Sequence, residues 1–368
     1  MIQFATNPLT LKALYAAAMG RAFLRFGNPR RREADRHRAA FYDRAWREAA
    51  EEIGATWEPV GAGISEITLD DFRTRVIENT CAIDDPVTLA VLADKPLTYR
   101  IIREESIPVP PHVTFTLKDI HRAAEFLRQQ AGDCVVKPAS GTGGGRGVTT
   151  GVRSVWQLAR AAAAAAVYGD DLLIERQVAG DNYRLLYLDG ELVDAFVRLP
   201  PTVTGDRRST VAALVRAAND ERLRQGAGVS QVLLTVDLDM RRTLANQGLS
   251  LRSVPARGAT VVLKNVVNEN AGADNADAMD LLCPSILEDC ARVVRALRAR
   301  LAGVDLITRD PSVPLREAGG VVLEVNGPPN FYYHYHKRSG AFPVAVHVLK
   351  RLLSDTQRPM AEAEIANA

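Results

Sequence analysis

The sequence predicts an α/β protein made of α+β lobes behind a mainly helical N-terminal region. Three observations predict it. The 368 residues are too many for one ordinary core and enough for two or three lobes. Hydrophobic residues at 47% and charged residues at 24% are the proportions of a water-soluble globular protein. The apolar period is helical near the N-terminus, and short strands alternate with helices and glycine-bearing turns after about residue 133.

Residues 1–84 make the N-terminal region. Leu9 to Ala22 is apolar with Lys12 and Arg21 at its ends, as in an amphipathic helix. Phe41, Ala45, Ala49 and Ile53 recur every four residues on a second helix, which Gly54 ends. Ile64 to Val76 reads as short strands around a turn at Asp70-Asp71. Residues 85–132 link this region to the next: the Pro110-Pro111 pair keeps the backbone extended, and Thr116 caps a helix from Leu117 to about Ala131. Residues 133–200 form a small lobe. It contains the strand Cys134 to Lys137, a glycine-rich loop at 140–147, an alanine-rich helix capped by Ser154, and the strand Asp171 to Arg176. Two more strands flank Asp189-Gly190, a hairpin dipeptide. Residues 201–355 form a larger lobe with a helix from Ser285 to Leu301 and strands at Val304–Thr308 and Gly320–Val325; a tail, 356–368, follows.

Composition excludes several functions. Lys+Arg 46 against Asp+Glu 44 leaves no bulk field for nucleic acid or a membrane, and the basic run Arg21 to Arg38 reads as a solvated helix face. The four cysteines are dispersed, which excludes common zinc spacings and fits a reducing compartment. No leader or membrane span is evident, so the expected location is cytoplasmic.

Three features carry chemistry. Lys137-Pro-Ala-Ser-Gly-Thr-Gly-Gly-Gly-Arg-Gly follows a strand directly. Glycine lets backbone N–H groups approach phosphate, and the lysine adds positive charge. Alone, the loop reads equally as a plain turn. Glu175 ends an apolar strand before a glycine-bearing turn, where a carboxylate and free backbone groups can meet an adenine; alone it reads as a surface glutamate. Glu324 and Asn326 are two apart and share a strand face, and Asp305 lies on the preceding strand. Three oxygen donors so placed suit a hard cation such as Mg²⁺, although each alone reads as an unrelated strand-end residue.

Their order resembles the ATP-grasp superfamily. Over residues 82–345 the irregular loops are similar to the ATP-grasp portion of the cyanophycin synthetases. The segments are Ala93-Asp-Lys-Pro, Arg184-Leu-Leu-Tyr-Leu-Asp-Gly-Glu, Gln247-Gly-Leu-Ser-Leu-Arg-Ser-Val, Ala302-Gly-Val-Asp and Glu324-Val-Asn. The resemblance implies an ATP-grasp fold binding ATP and Mg²⁺, with Mn²⁺ as an alternative. Lys95 and Lys137 would contact phosphates under a lid of Ser140 to Gly147, including Gly143, Gly144 and Gly145. Glu175 and the backbone of Val178 would hold adenine, and Asn182 takes the ribose position, which is normally acidic. Asp305, Glu324 and Asn326 would hold the metal. Arg198, Arg208, Lys264 and Asn268 would face the transferred phosphate or substrate carboxylates.

The activity implied is amide formation between small amino-acid-like substrates through an acyl phosphate, with release of ADP and phosphate. The alternatives are a small-molecule kinase of the same superfamily and a nucleotide-binding module without turnover; a homodimer is an admissible assembly. The sequence departs from the family at Asn270-Ala-Gly-Ala and at Arg207, which replaces a glycine, so the substrate is expected to differ. The Mur-ligase-like domain that follows in those synthetases has no room before residue 368, so polymer synthesis is not expected. Cations in excess of the phosphates' needs (Arg198, Arg207, Arg208, Lys264) predict a substrate with a further carboxylate. His334 and His336 lack a third ligand and read better as pocket wall or packed aromatics than as zinc ligands.

Overall fold

The computed structural model describes residues 6–26, 29–142, 145–225, 233–271 and 274–366. Its chain begins with helices α1 (Pro8–Phe26) and α2 (Pro29–Glu52), then an antiparallel sheet of β1 (Thr56–Gly61), β2 (Ile64–Leu69) and β3 (Phe72–Val76). Three of the four predicted stripe positions on α2 are buried, Phe41, Ala45 and Ala49, with Tyr42 and Trp46 beside them; Ile53 lies just past the helix end and is half-buried. Helices α3 (Pro86–Ala93) and α4 (Lys95–Glu104) follow end to end. Asp85 caps the first by accepting from the amides of Val87 and Thr88, and Asp94 caps the second by accepting from Leu97 N.

A four-stranded antiparallel sheet comes next, in the order β4 (His112–Phe115), β7 (Leu172–Arg176), β5 (Cys134–Pro138), β6 (Thr149–Val152). Helices α5 (Ile120–Gln129) and α6 (Val155–Ala165) cover one face, and α1 lies against α6. Helix α5 starts three residues later than the Thr116 signal suggests. Thr116 donates its Oγ1–H to Asp119 Oδ1 at 2.6 Å, so residues 116–119 close a turn before the helix begins. Ser154 caps α6 as expected, accepting from Gln157 N.

The larger sheet has five antiparallel strands. They run β12 (Ala276–Asp277), β9 (Glu191–Arg198), β8 (Asp181–Leu188), β13 (Leu301–Thr308), β14 (Val321–Asn326). Strands β8 and β9 make the hairpin at Asp189-Gly190, both residues at positive φ. The sequence pattern groups that hairpin with residues 133–200, but it pairs with β13, residue for residue from Asp181↔Thr308 to Leu188↔Leu301. Strand pairing likewise puts β4 in the small sheet, so the sheets divide the chain near residues 108 and 180.

Between β9 and β12 sits a smaller unit with its own apolar core. It consists of the ribbon β10 (Thr202–Thr204) and β11 (Thr260–Val262) with α7 (Val211–Arg224) and α8 (Leu238–Asn246). Helix α9 (Pro284–Ala296) packs on the large sheet and ends earlier than expected. Arg298 turns at φ +55, and the amides of Arg300 and Leu301 donate to Asp84, which starts β13 at once. Short helices α10 (Leu315–Ala318) and α11 (Tyr332–Tyr335) and the terminal α12 (Val344–Ala366) complete the order, with α12 against α2.

Period-two alternation gives the large sheet two unlike faces. Tyr183, Leu185, Tyr187, Ala302, Val304 and Leu306 pack on α9. The other face is split. Leu186, Leu188, Phe196 and Leu301 meet the aromatic core of α2, α11 and α12, while Asn182, Arg184, Arg198 and Asp305 turn toward the small sheet.

Candidate active site

Strand register brings distant residues into one row. Glu324 pairs with Asp305, Asp305 with Arg184, and Arg184 with Phe196, so all four share a face of the large sheet. Arg184 and Asp305 are nearly inaccessible. The guanidinium grips the carboxylate in a fork, Nη2 to Oδ2 at 2.8 Å, with Nε on Oδ1. Arg198 Nη1 adds a contact to Oδ2 at 3.3 Å and donates to Asn268 Oδ1 at 2.9 Å. A Cβ on Gly303 would come within 3.0 Å of Arg184 Nη1, so glycine leaves the fork its room. Burial opposes the charge on Asp305, yet Arg184 and Arg198 outweigh it and hold the carboxyl below its ordinary range. Arg198 is shifted down, by burial first and then by Arg184.

The small sheet and α4 supply the facing wall. Lys137 Nζ sits 2.8 Å from Glu175 Oε1, both almost fully buried. The Tyr99 hydroxyl stands 3.0 Å from Glu175 Oε2 and 2.6 Å from the Leu323 carbonyl, linking the two sheets. Burial, then Glu175, pushes that phenol far above its ordinary pKa. Lys95 shares a face of α4 with Tyr99, four residues on, and reaches Glu324 Oε1 at 3.0 Å. Burial works against its charge, but Glu324, with Glu175 and Asp305, raises its pKa.

Between the walls lies a cleft of about 340 Å³. Lys95, Lys137, Gly145, Glu175, Val178, Asn182, Arg198, Asn268, Asp305 and Glu324 all line it, which gathers most of the predicted set in one place. Gly145 is at φ +71, and a Cβ there would meet Val266 Cγ1 at 2.6 Å, so the position accepts only glycine without a shift. Asn182 Oδ1 is buried with no partner among the described residues, an open acceptor at the predicted ribose position. Asn326 stands behind the lining, its amide donating to Asp305 Oδ2 at 3.2 Å.

Other predicted residues are elsewhere. Lys264 is 1% exposed and does not line the cleft; Asp237 at 2.6 Å and Glu269 at 3.0 Å hold its ammonium. Arg208 is exposed on the 205–209 loop, outside the lining, and Ser140 is exposed and also outside it. Gly143 and Gly144 lie outside the described residues. Arg207 adopts φ +64, the left-handed backbone for which a glycine is suited. His334 is fully buried, with Nδ1 2.7 Å from Asp194 Oδ2, and burial drives its pKa down to about 4. His336 stacks on Tyr332. Among the described residues no group of three or more His, Cys, Asp or Glu is placed to hold a metal by itself.

No protein-family model matches the chain. Over 251 residues it is 35% identical to cyanophycin synthetase from Trichormus variabilis, covering 67% of this chain and 27% of that protein. Over 270 residues it is 30% identical to the glutathione biosynthesis bifunctional protein GshAB from Mannheimia succiniciproducens, covering 71% of this chain and 35% of that one. Among solved structures, a bifunctional glutathione synthetase from Pasteurella multocida superposes with a TM-score of 0.54 at 23% identity, covering 85% of this chain and 43% of that chain. The chain has the ATP-grasp fold. It spans about a quarter to a third of the length of these curated relatives.

Two residues of the ATP-grasp cleft escape a reading by motif. Arg184 sits two residues from Asn182 on the same strand face, so the period of two was the available signal. Tyr99 is four residues after Lys95, one helical turn, and that spacing alone points it at the same wall. The donor chemistry at Glu324, Asp305 and Asn326, two carboxylates and an amide, fits a hard divalent cation. Asp305 would meet such a cation already neutralised by Arg184, which leaves Glu324 as the carboxylate with accessible oxygen.

Proposed function

We propose that this chain is an ATP-dependent carboxylate–amine ligase acting on small amino-acid-like molecules. One observation carries the reading: Glu324, Asp305, Lys95, Arg198 and Lys137 line one cleft between two sheets, and the buried Arg184 holds Asp305 in their row. Phosphoryl transfer needs little covalent help from a protein. It needs cations placed around the γ-phosphate and exclusion of water.

Lys95 and Lys137 lie where they can pair with phosphate oxygens. Glu175, Val178 and Asn182 border the part of the cleft suited to a nucleoside. Glu324, Asp305 and Asn326 would hold Mg²⁺ or Mn²⁺, which would neutralise phosphate charge. Arg198, oriented by Asn268 and Asp305, then stands over the reacting carboxylate. A carboxylate oxygen attacks the γ-phosphorus, the bond to the β,γ-bridging oxygen breaks, and ADP leaves. The amine attacks the acyl carbon, loses a proton, and expels phosphate as the amide forms. Arg208, exposed on the 205–209 loop, is assigned to a second substrate carboxylate.

Support comes from the homology to cyanophycin synthetase and GshAB over two thirds of the chain. A paired screen of amino acids and dipeptides, reading ADP release, tests the proposal. Release should require both a carboxylate and an amine, and Glu324→Ala should abolish it while the protein stays folded. ADP release with a hydroxyl compound and no amine would make the chain a kinase instead.

A further inference from the structure

Beside the cleft, α4 also borders a feature that ligation does not use. A groove of about 610 Å³ runs between α4 and β4, lined by Arg100, Arg103, His112, Val113, Thr114 and Arg122. Strand β4 is the last in its sheet: β7 pairs one edge, and among the described residues no strand pairs the other. Its free edge therefore offers backbone groups that an incoming strand can take up.

Charge in the groove is one-sided. Arg100 has no carboxylate partner among the described residues. Arg103 gives Nε to the Tyr99 carbonyl at 3.3 Å and sets Nη2 3.1 Å from His112 Nε2. Arg122 reaches Asp119 at 3.4 Å and is largely exposed. Glu104 is the single carboxylate in the lining. His112 stands 2.9 Å from the Pro110 carbonyl through Nδ1, which fits a neutral ring with Nε2 accepting from Arg103. Burial lowers its pKa further, so it adds no cation.

Charges that merely block an edge sit on the edge strand itself. Here His112–Phe115 carries no Lys, Arg, Asp or Glu, and the arginines stand across the groove on α4 and α5. Their spacing also suits an occupant. Arg100 and Arg103 are separated by about 4.5 Å along the helix axis. Alternate side chains of an extended strand are about 6.6 Å apart, a difference the flexible arginine stems span.

We infer that this groove binds an extended acidic peptide, which adds a strand to the free edge of β4 and sets alternate carboxylates against Arg100, Arg103 and Arg122. Binding here does not depend on the ligase reading, because it involves no cleft residue and no ATP.

Fluorescence anisotropy with a labelled octapeptide of alternating Asp and Val, on the full chain, tests it. The peptide should bind, and Arg100→Glu with Arg103→Glu should weaken it at least about 10-fold. Arg122→Glu, away from the Tyr99 and His112 contacts, should weaken it in the same direction. Far-UV circular dichroism and the thermal unfolding midpoint should be unchanged in these variants, which shows that they are folded. N-methylation of alternate peptide amides should remove binding. Failure of the peptide to bind, or unchanged affinity in both charge-reversal variants, overturns the site. Equal binding of the N-methylated peptide overturns strand addition. Displacement by inorganic triphosphate as readily as by unlabelled peptide would reassign the groove to free polyanions.

Discussion

Lys137 and Lys264 are both nearly inaccessible, and both are held by a glutamate, yet they sit in unlike surroundings. Lys137 has Glu175 on one side and an open cleft on the other. Lys264 is closed in by Asp237 and Glu269, with Asp239 adding to the field, and it does not line the cleft. A buried ion pair is therefore no sign of function by itself. What separates the two is whether the cation has a direction left in which a ligand can approach.

The comparison breaks most sharply under paired substitutions. Lys264→Ala leaves Asp237 and Glu269 uncompensated, and stability should fall by about 3–5 kcal/mol in denaturant unfolding. Nucleotide affinity per folded molecule should hold. Lys137→Ala should instead raise the Kd for an ATP analogue about 10- to 100-fold, through loss of a charge-assisted phosphate contact worth about 1.5–3 kcal/mol. A Lys264→Ala protein of normal stability with weakened nucleotide binding would put that lysine back in the site.

His334 gives the next largest effect. Its folded pKa of about 4 lies below its ordinary value near 6.5, because burial disfavours the imidazolium. Between those values the unfolded chain binds the extra proton, so stability is fully present above about pH 6.5 and is lost as pH falls toward 4. The loss should reach roughly 3 kcal/mol. Chemical denaturation across that range measures it, and His334→Gln should flatten that part of the profile. An unchanged slope in the variant would assign the pH dependence to another group.

Arg207 and Arg208 test the exposed loop against the cleft. Arg207→Gly relieves about 1–2 kcal/mol of left-handed strain and costs about 0.5–1 kcal/mol of chain entropy, so a gain of about 0.5–1 kcal/mol is expected. Arg208→Ala should change stability by less than about 0.5 kcal/mol. Its effect should appear in KM for the amino-acid substrate rather than for ATP. A larger rise in KM for ATP would move Arg208 to the phosphates.

Local signals were legible in the sequence and long-range ones were not. The shared face of Glu324 and Asn326, the cap at Ser154, the hairpin turn at Asp189-Gly190 and the stripe on α2 each depend on neighbours within a few residues. The fork between Arg184 and Asp305 joins residues 121 apart in sequence, and only strand register reveals it. The same holds for Lys264, whose partners come from the cap of α8 and a separate turn, so a lone lysine near a motif looked available for phosphate. The hairpin β8–β9 was legible as a hairpin, but its place in the large sheet follows from pairing with β13.

The central claim, that the cleft between the sheets passes the γ-phosphoryl of ATP to a carboxylate, is tested most directly by isotope transfer. The protein is incubated with ATP, Mg²⁺ and amino acids carrying ¹⁸O in their carboxylates, and the released phosphate is examined by mass spectrometry. One ¹⁸O should appear in each phosphate formed, together with ADP, and Glu324→Ala should form neither. Unlabelled phosphate, or AMP with pyrophosphate, would contradict acyl-phosphate formation in this cleft.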